Sequence, residues 1–202
     1  MSKSQYTLFH DKCNDLEGRF GNQGRLRLED ACDLNVVRCK KLLDFGAGKG
    51  LNAGLCEEYF RFDTDADLEP NFTSFGDMTP DHMFDGVIAN QVFEHISRED
   101  LFETAEQLVE HMAPGAKIIV TIPNVQRGSY YFNDFDHKTP LMFYQVGALF
   151  EINGLTVTDC YRYTKRPDEI KNADDNIKAL FEIMRKYYEL DPAQFLAVVA
   201  EK

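Results

Sequence analysis

Lys41-Leu42-Leu43-Asp44-Phe45-Gly46-Ala47-Gly48-Lys49-Gly50 is the stretch on which the fold turns. Leu42 to Phe45 is a short apolar run and reads as a buried strand with one acid, Asp44, inside it. Three glycines at alternate positions follow, and then the helix-permissive run Leu51 to Glu58. Strand, glycine turn and helix start together form a nucleotide-binding corner. A glycine there lets the backbone turn tightly and approach a ligand that a Cβ would push away. The spacing is G-x-G-x-G. A dinucleotide fingerprint, G-x-G-x-x-G, would need glycine where Leu51 stands.

Composition sets the bounds around this corner. The chain of 202 residues is expected to form one domain with a sizeable core. Apolar residues at 44% and charged residues at 28% are those of an ordinary globular protein. Net charge is −12, which disfavours phosphate backbones and anionic membranes as partners. No apolar run approaches the ~20 residues of a membrane span. Met1 to Gln5 lacks the apolar core of a signal peptide, so a cytoplasmic location is expected. Cys13, Cys32, Cys39, Cys56 and Cys160 form no C-x-x-C pair, which predicts reduced thiols and no zinc site. No metal ligands are assigned.

On the N-terminal side, residues 1–40 read as irregular chain or a short helix, then a glycine-rich loop from Gly18 to Gly24. An amphipathic helix from Arg25 to Val36 follows, with Leu26, Ala31 and Leu34 in the core. On the C-terminal side the first helix is brief, and Tyr59 to Phe62 is a second strand ending at Asp63-Thr64-Asp65. An acid at the end of the second strand of such a unit can accept two hydrogen bonds from a ribose diol. Asp63 is the first choice and Asp65 the reserve; a solvated acidic turn is the alternative.

Pro70 to Met78 is an extended stretch ending in Gly76-Asp77. Val87 to Ala89 is a buried fourth strand that leaves through a polar corner at Asn90 into Val92-Phe93-Glu94-His95-Ile96. Ser97 is an N-cap, and Leu101, Ala105, Leu108, Val109 and Met112 repeat at helical spacing. Pro114-Gly115 stops that helix before strand five, Lys117 to Asn124. The loop from Val125 to Lys138 is aromatic and charged, carrying Tyr130, Tyr131, Phe132, Phe135, Asp136 and His137. A helix from Thr139-Pro140 buries Leu141, Val146, Leu149 and Phe150, and Leu155 to Tyr163 is strand six. A charged helix over Asn172 to Leu190 presents Ile177, Leu180, Phe181, Met184 and Tyr188 on one face, and Gln194 to Lys202 is strand seven.

These landmarks occur in the order found in class I S-adenosylmethionine (SAM) methyltransferases, and the chain resembles that family from about residue 41 to its end. Val92-Phe93-Glu94-His95-Ile96 after an apolar strand is similar to the small-molecule, ubiquinone-biosynthesis-like group. The resemblance implies an α/β, Rossmann-like three-layer sandwich: a seven-stranded, mostly parallel sheet in the order 3-2-1-4-5-7-6, strand seven antiparallel. It divides the chain into residues 1–40, a possible lid, and 41–202, the catalytic domain. It implies SAM as cofactor, with contacts at Asp44, Gly46, Ala47, Gly48, Gly50, Asp63, Thr64, Asp77, Met78 and Asn90. In this reading Asp77 accepts from the adenine amino group and the Met78 amide serves a ring nitrogen.

The implied activity is methyl transfer to oxygen, nitrogen or carbon of a small molecule by a monomer or homodimer. The alternatives are a nucleic-acid or protein methyltransferase and a non-catalytic SAM-fold protein. Asn90-Gln91-Val92-Phe93 lacks the prolines of base-modifying relatives, which sets nucleic acid aside. His137 and His95 are the candidate bases, because imidazole titrates near neutrality. His95 has packing as its alternative role, and His137 a structural pairing with Asp136. Arg19, Arg25 and Arg127 are candidate counter-ions for an anionic acceptor.

Overall fold

The computed structural model describes residues 3–20, 27–29, 32–163, 174–177, 179–180, 183 and 194–202. Its sheet is built from β1 (Arg27–Glu29), β2 (Cys39–Phe45), β3 (Cys56–Phe62), β4 (Phe84–Asn90), β5 (Met112–Pro123), β6 (Thr156–Tyr163) and β7 (Phe195–Glu201). The order is β1-β6-β7-β5-β4-β2-β3, and β7 alone runs antiparallel to its neighbours. Six of these strands are the expected ones in the expected arrangement.

Two corrections concern the sheet. The strand expected at 70–78 is reduced to a single bridge, Phe62 to Phe72, followed by a 3₁₀ turn over Phe75–Asp77. The seventh strand is instead the three-residue β1 on the opposite edge, within the stretch expected as a helix from Arg25 to Val36. Among the described residues of that stretch the helical part is a 3₁₀ turn, Leu34–Val37; Leu34 packs partly buried, and Leu26 and Ala31 lie outside the described residues.

The first crossover, expected to be short with a brief helix, holds no α-helix. Between β2 and β3 the chain makes a glycine turn and one 3₁₀ turn, Ala53–Leu55, where the sequence predicts a helix. Parallel strands are usually joined by a dozen or more residues with a helix among them. Here Cys56 has already entered β3, paired directly with Cys39.

Three helices cover one face of the sheet: α1 (Lys3–Phe20), α2 (Leu101–Glu110) and α3 (Phe143–Glu151). Leu43, Phe45, Val87, Ala89, Ile118 and Val120 point into this core with Leu108, Val146 and Phe150. The other face carries Leu42, Ile88, Ile119, Tyr161 and Val199. There the described residues supply only the turns at Leu34–Val37 and Ala53–Leu55 as cover. In the helix expected over 172–190, Ile177, Leu180 and Ile183 are exposed; Phe181, Met184 and Tyr188 lie outside the described residues.

Within the stretch read as a possible lid, residues 3–20 form α1, which packs against α3. Phe9, Cys13, Leu16 and Phe20 form a stripe at helical spacing, and Leu16 is wholly buried. Leu16 lies so close to Gly147 of α3 that a Cβ there would come within 2.9 Å of it. Glu151, buried at the end of α3, pairs with Lys12 at 3.2 Å and Arg19 at 2.5 Å. Residues 3–20 therefore belong to the body of the domain. Arg19 is committed to this pairing, Arg25 lies outside the described residues, and Arg127 is exposed.

Both later helices begin three or four residues after their expected starts. α2 opens at Leu101, with Ser97 Oγ donating to Asp100 Oδ2 at 2.7 Å in the turn before it. α3 opens at Phe143. Pro114-Gly115 falls within β5, in a bulge between the pairs Phe84–Met112 and Gly86–Lys117. No helix among the described residues is long and apolar enough to cross a membrane.

Candidate functional site

The carboxyl ends of β2, β3 and β4 meet at one edge, where open α/β sheets place their ligands. The glycine turn after β2 is stitched to β3, with Gly46 N and Ala47 N both donating to Phe62 O at 2.8 and 3.1 Å. Gly46, Gly48 and Gly50 all have positive φ, at 71°, 50° and 70°. Their surroundings differ. A Cβ on Gly46 would lie 2.3 Å from Val92 Cγ2, and one on Gly50 would lie 2.9 Å from Arg61 Cδ. A Cβ on Gly48 would meet nothing within 4 Å. Gly46 and Gly50 are thus small because the protein itself is close, and Gly48 alone faces open space.

Asp63 is fixed beside that space. Its Oδ2 accepts from Gly48 N at 2.8 Å and its Oδ1 from Asp65 N at 3.0 Å. A carboxylate offers about four lone-pair positions, so two remain for a diol. Asp65 instead caps the next turn through Asp67 N, and Thr64 is exposed beside it. Asp44 is buried below the turn, where it accepts from Tyr59 Oη and from Asn52 Nδ2 at 2.9 Å. Burial raises its pKa above the usual carboxylate range, against the lowering effect of these two bonds. Lys49 is exposed.

Asp77 and Met78 are engaged locally. Asp77 Oδ2 accepts from Thr73 N, Thr73 Oγ1 and Ser74 N at 2.8, 2.9 and 2.9 Å. These bonds, those from Thr73 foremost, hold the exposed carboxyl below its usual pKa. The Met78 amide expected for a ring nitrogen donates to Phe75 O at 3.1 Å. Phe75 lies against Phe45 and Phe62, with ring centroids 5.8 and 4.9 Å away, and gives this corner an apolar floor. Asn90 is exposed at the end of β4, with Oδ1 accepting from Thr121 Oγ1 at 2.6 Å.

β4 leaves through Gln91, whose φ is 59°, into a 3₁₀ turn over Phe93–His95. Phe93 is wholly buried against Phe45 and Phe150, which drives Glu94 down into the protein at 1% exposure. The loop after β5 is pinned on top. Lys138 N and Thr139 N donate to Glu94 O at 2.8 and 3.0 Å, and Thr139 Oγ1 donates to Ile96 O at 2.8 Å. His95 and His137 thereby come edge to face, with ring centroids 4.8 Å apart.

Each ring is oriented by a main-chain carbonyl, which can only accept. His137 Nδ1 donates to Tyr131 O at 2.7 Å, and His95 Nδ1 to Asp136 O at 3.2 Å. The free nitrogen of each ring is then Nε2. His137 Nε2 stands 4.0 Å from Glu94 Oε1 and 3.8 Å from Asp134 Oδ2. Burial, with a smaller contribution from Asp134, pushes the Glu94 carboxyl up to about 8. Glu94 Oε2 is buried with no hydrogen-bond partner. Glu94, His95 and His137 offer ligand atoms within 4.8 Å of one another.

His95 and His137 were singled out in the sequence and Tyr131 was named among the loop aromatics; Glu94 was given no role of its own. An acid between Phe93 and His95 in an otherwise apolar motif was the available signal for Glu94. Of the loop aromatics, Tyr131 is buried, whereas Phe132 and Phe135 face solvent at 74% and 101% exposure. The Tyr130 side chain lies outside the described residues.

A family described as methyltransferase domain matches residues 19–158. A search of curated proteins finds no match. Among solved structures, a SAM-dependent methyltransferase from Archaeoglobus fulgidus matches with a TM-score of 0.62 at 20% identity, over 98% of this chain and 99% of that one. Phosphoethanolamine N-methyltransferase 2 from Haemonchus contortus, solved in complex with S-adenosyl-L-methionine, gives 0.53 at 16%, over 99% of this chain and 58% of that one. The cyclase SpnF gives 0.56 at 14%, over 98% and 94%. At these identities the likeness is one of fold, and the last neighbour carries a different activity on it.

Proposed function

This chain belongs to the methyltransferase domain family, and on that premise we propose that it moves the methyl group of SAM to a small-molecule acceptor. The observation that carries the reading is the pairing of Gly48 with Asp63. Open space lies over the one glycine of the motif that nothing in the protein crowds, and a carboxylate with two spare lone-pair positions stands beside it. Gly48 and Asp63 would hold the ribose end of SAM, and the Phe45–Phe75 floor would face its adenine.

The sulfonium methyl is already activated, so the protein's task is to hold a nucleophile in line and exclude water. The Glu94–His95–His137 centre supplies the acceptor end. It adjoins the glycine corner through Val92, which packs on Gly46. The His137 Nε2 lone pair is set to take a proton from the acceptor, a service worth ~10²–10⁴ in rate. His95 stands as second contributor.

A small acceptor suits the net charge of −12 better than a nucleic acid does. Radiolabelled SAM offered with metabolite pools, RNA and protein extracts tests this directly. Label in the small-molecule fraction is expected; label confined to macromolecules contradicts the proposal. His137→Ala should lower turnover ~10²-fold. A loss below tenfold would reduce His137 to a structural residue.

A further inference from the structure

Four groups that can each offer a lone pair, Glu94, Asp134, His95 and His137, converge at the acceptor end. Glu94 Oε1 and Asp134 Oδ2 lie 4.0 and 3.8 Å from His137 Nε2, the nitrogen not used in the bond from Nδ1 to Tyr131 O. His95, fixed in the same way on Asp136 O, brings a second imidazole into the cluster. Glu94 is 1% exposed, and its Oε2 has no partner. Buried oxygen and nitrogen lone pairs that face one another across about 4 Å repel unless a proton or a cation stands between them.

We propose that a divalent first-row transition cation occupies this point, bound by Glu94, His95 and His137 with Asp134 at the rim. This rests on the methyltransferase reading above and names how its acceptor end works. Two imidazoles and a carboxylate select Zn²⁺, Mn²⁺ or Fe²⁺ over Mg²⁺, which prefers oxygen donors. Metal–nitrogen and metal–oxygen bonds of about 2.0–2.2 Å place donors roughly 3–3.5 Å apart. The separations here, up to 4.8 Å, need only about an ångström of closure. The second shell is already built: each ring is fixed by a main-chain carbonyl, as metal-bound histidines usually are. Three protein ligands leave coordination positions for an acceptor oxygen, and Asp134, half exposed, marks the open side.

The acceptor class that follows carries a hydroxyl. With its Nε2 lone pair on the cation, His137 does not act as the base; the acceptor oxygen binds the cation, which lowers its pKa, and the O–H proton leaves to solvent. The oxygen lone pair then forms a bond to the methyl carbon. The carbon–sulfur bond breaks with its electron pair going to sulfur, so the sulfonium becomes a neutral thioether and the acceptor a methyl ether.

The test uses the full chain stripped of metal with a chelator. Calorimetry with Co²⁺ and Zn²⁺ is run beside visible absorption of the Co²⁺ form and calorimetry with S-adenosylhomocysteine. One Co²⁺ per chain with visible d–d bands is expected. Glu94→Gln, His95→Ala and His137→Ala should each weaken it at least tenfold while S-adenosylhomocysteine binding stays within a few-fold. His95 is the least buried of the three, so its variant reads the site even where Glu94→Gln unfolds the turn. Absence of Co²⁺ binding, binding unchanged in the His95 variant, or thiolate charge-transfer bands would overturn the cation site. S-adenosylhomocysteine binding without Co²⁺ binding sinks the cation and leaves the methyl-transfer reading standing. Co²⁺ binding lost in the variants, without S-adenosylhomocysteine binding, supports the cation and removes the methyl-transfer reading.

Discussion

Gly46, Gly48 and Gly50 share a motif and a left-handed backbone, yet a side chain at each would meet different things. Gly48→Val should retain the fold at a cost of about 1–2 kcal/mol for the strained φ, and lose cofactor binding, because its side chain fills the open space. Gly46→Val should instead destabilise the protein, since its Cβ would overlap Val92; a thermal melt separates the two outcomes. Asp44 sets a pH dependence of stability. Burial raises its pKa, so the native state keeps a proton at pH values where the unfolded chain has released it. Its contribution is therefore most favourable below the ordinary value of 3.8 and declines as pH rises through the native value. Asp44→Asn should remove that decline. Parallel melting-temperature profiles for the two proteins between acid and neutral pH would contradict it.

At the scale of elements, the strands were legible and several connections were not. Val87 to Ala89 is an apolar run and Leu155 to Tyr163 a largely alternating one; β4 contains the first with wider bounds, and β6 begins one residue inside the second. The helix after the glycine turn failed because its residues have adequate helix propensity but no room. Cys56 is already paired with Cys39 in the sheet, and tertiary pairing overrides a weak local preference. α1, read as irregular chain or a short helix, was underestimated for the opposite reason. Its apolar stripe is narrow, broken by Asp11, Lys12, Asp15 and Glu17, and it gains its stability from α3. Leu16→Ala should accordingly cost about 2–5 kcal/mol, read by denaturant unfolding. A cost below 1 kcal/mol would return residues 3–20 to the role of a lid.

Across the whole molecule, the cofactor end follows from local sequence and the acceptor end does not. Gly48 and Asp63 are announced by a glycine motif and an acid after the second strand. Glu94 and His137 lie far apart in the chain, and main-chain bonds from Lys138 and Thr139 to Glu94 join them; nothing in composition or periodicity records such a closure. The account's central claim is that Gly48 and Asp63 hold the methyl donor. Calorimetric titration of S-adenosylhomocysteine into the wild-type, Gly48→Val, Asp63→Ala and Asp65→Ala proteins, each checked for native circular dichroism, tests it most directly. Binding by the wild type and none by Gly48→Val is the expected result. Asp63→Ala should lose about 1.5–3 kcal/mol, the scale of a hydrogen bond to a charged group, and Asp65→Ala less. A wild type that does not bind, or a folded Gly48→Val that binds as well as wild type, would contradict it.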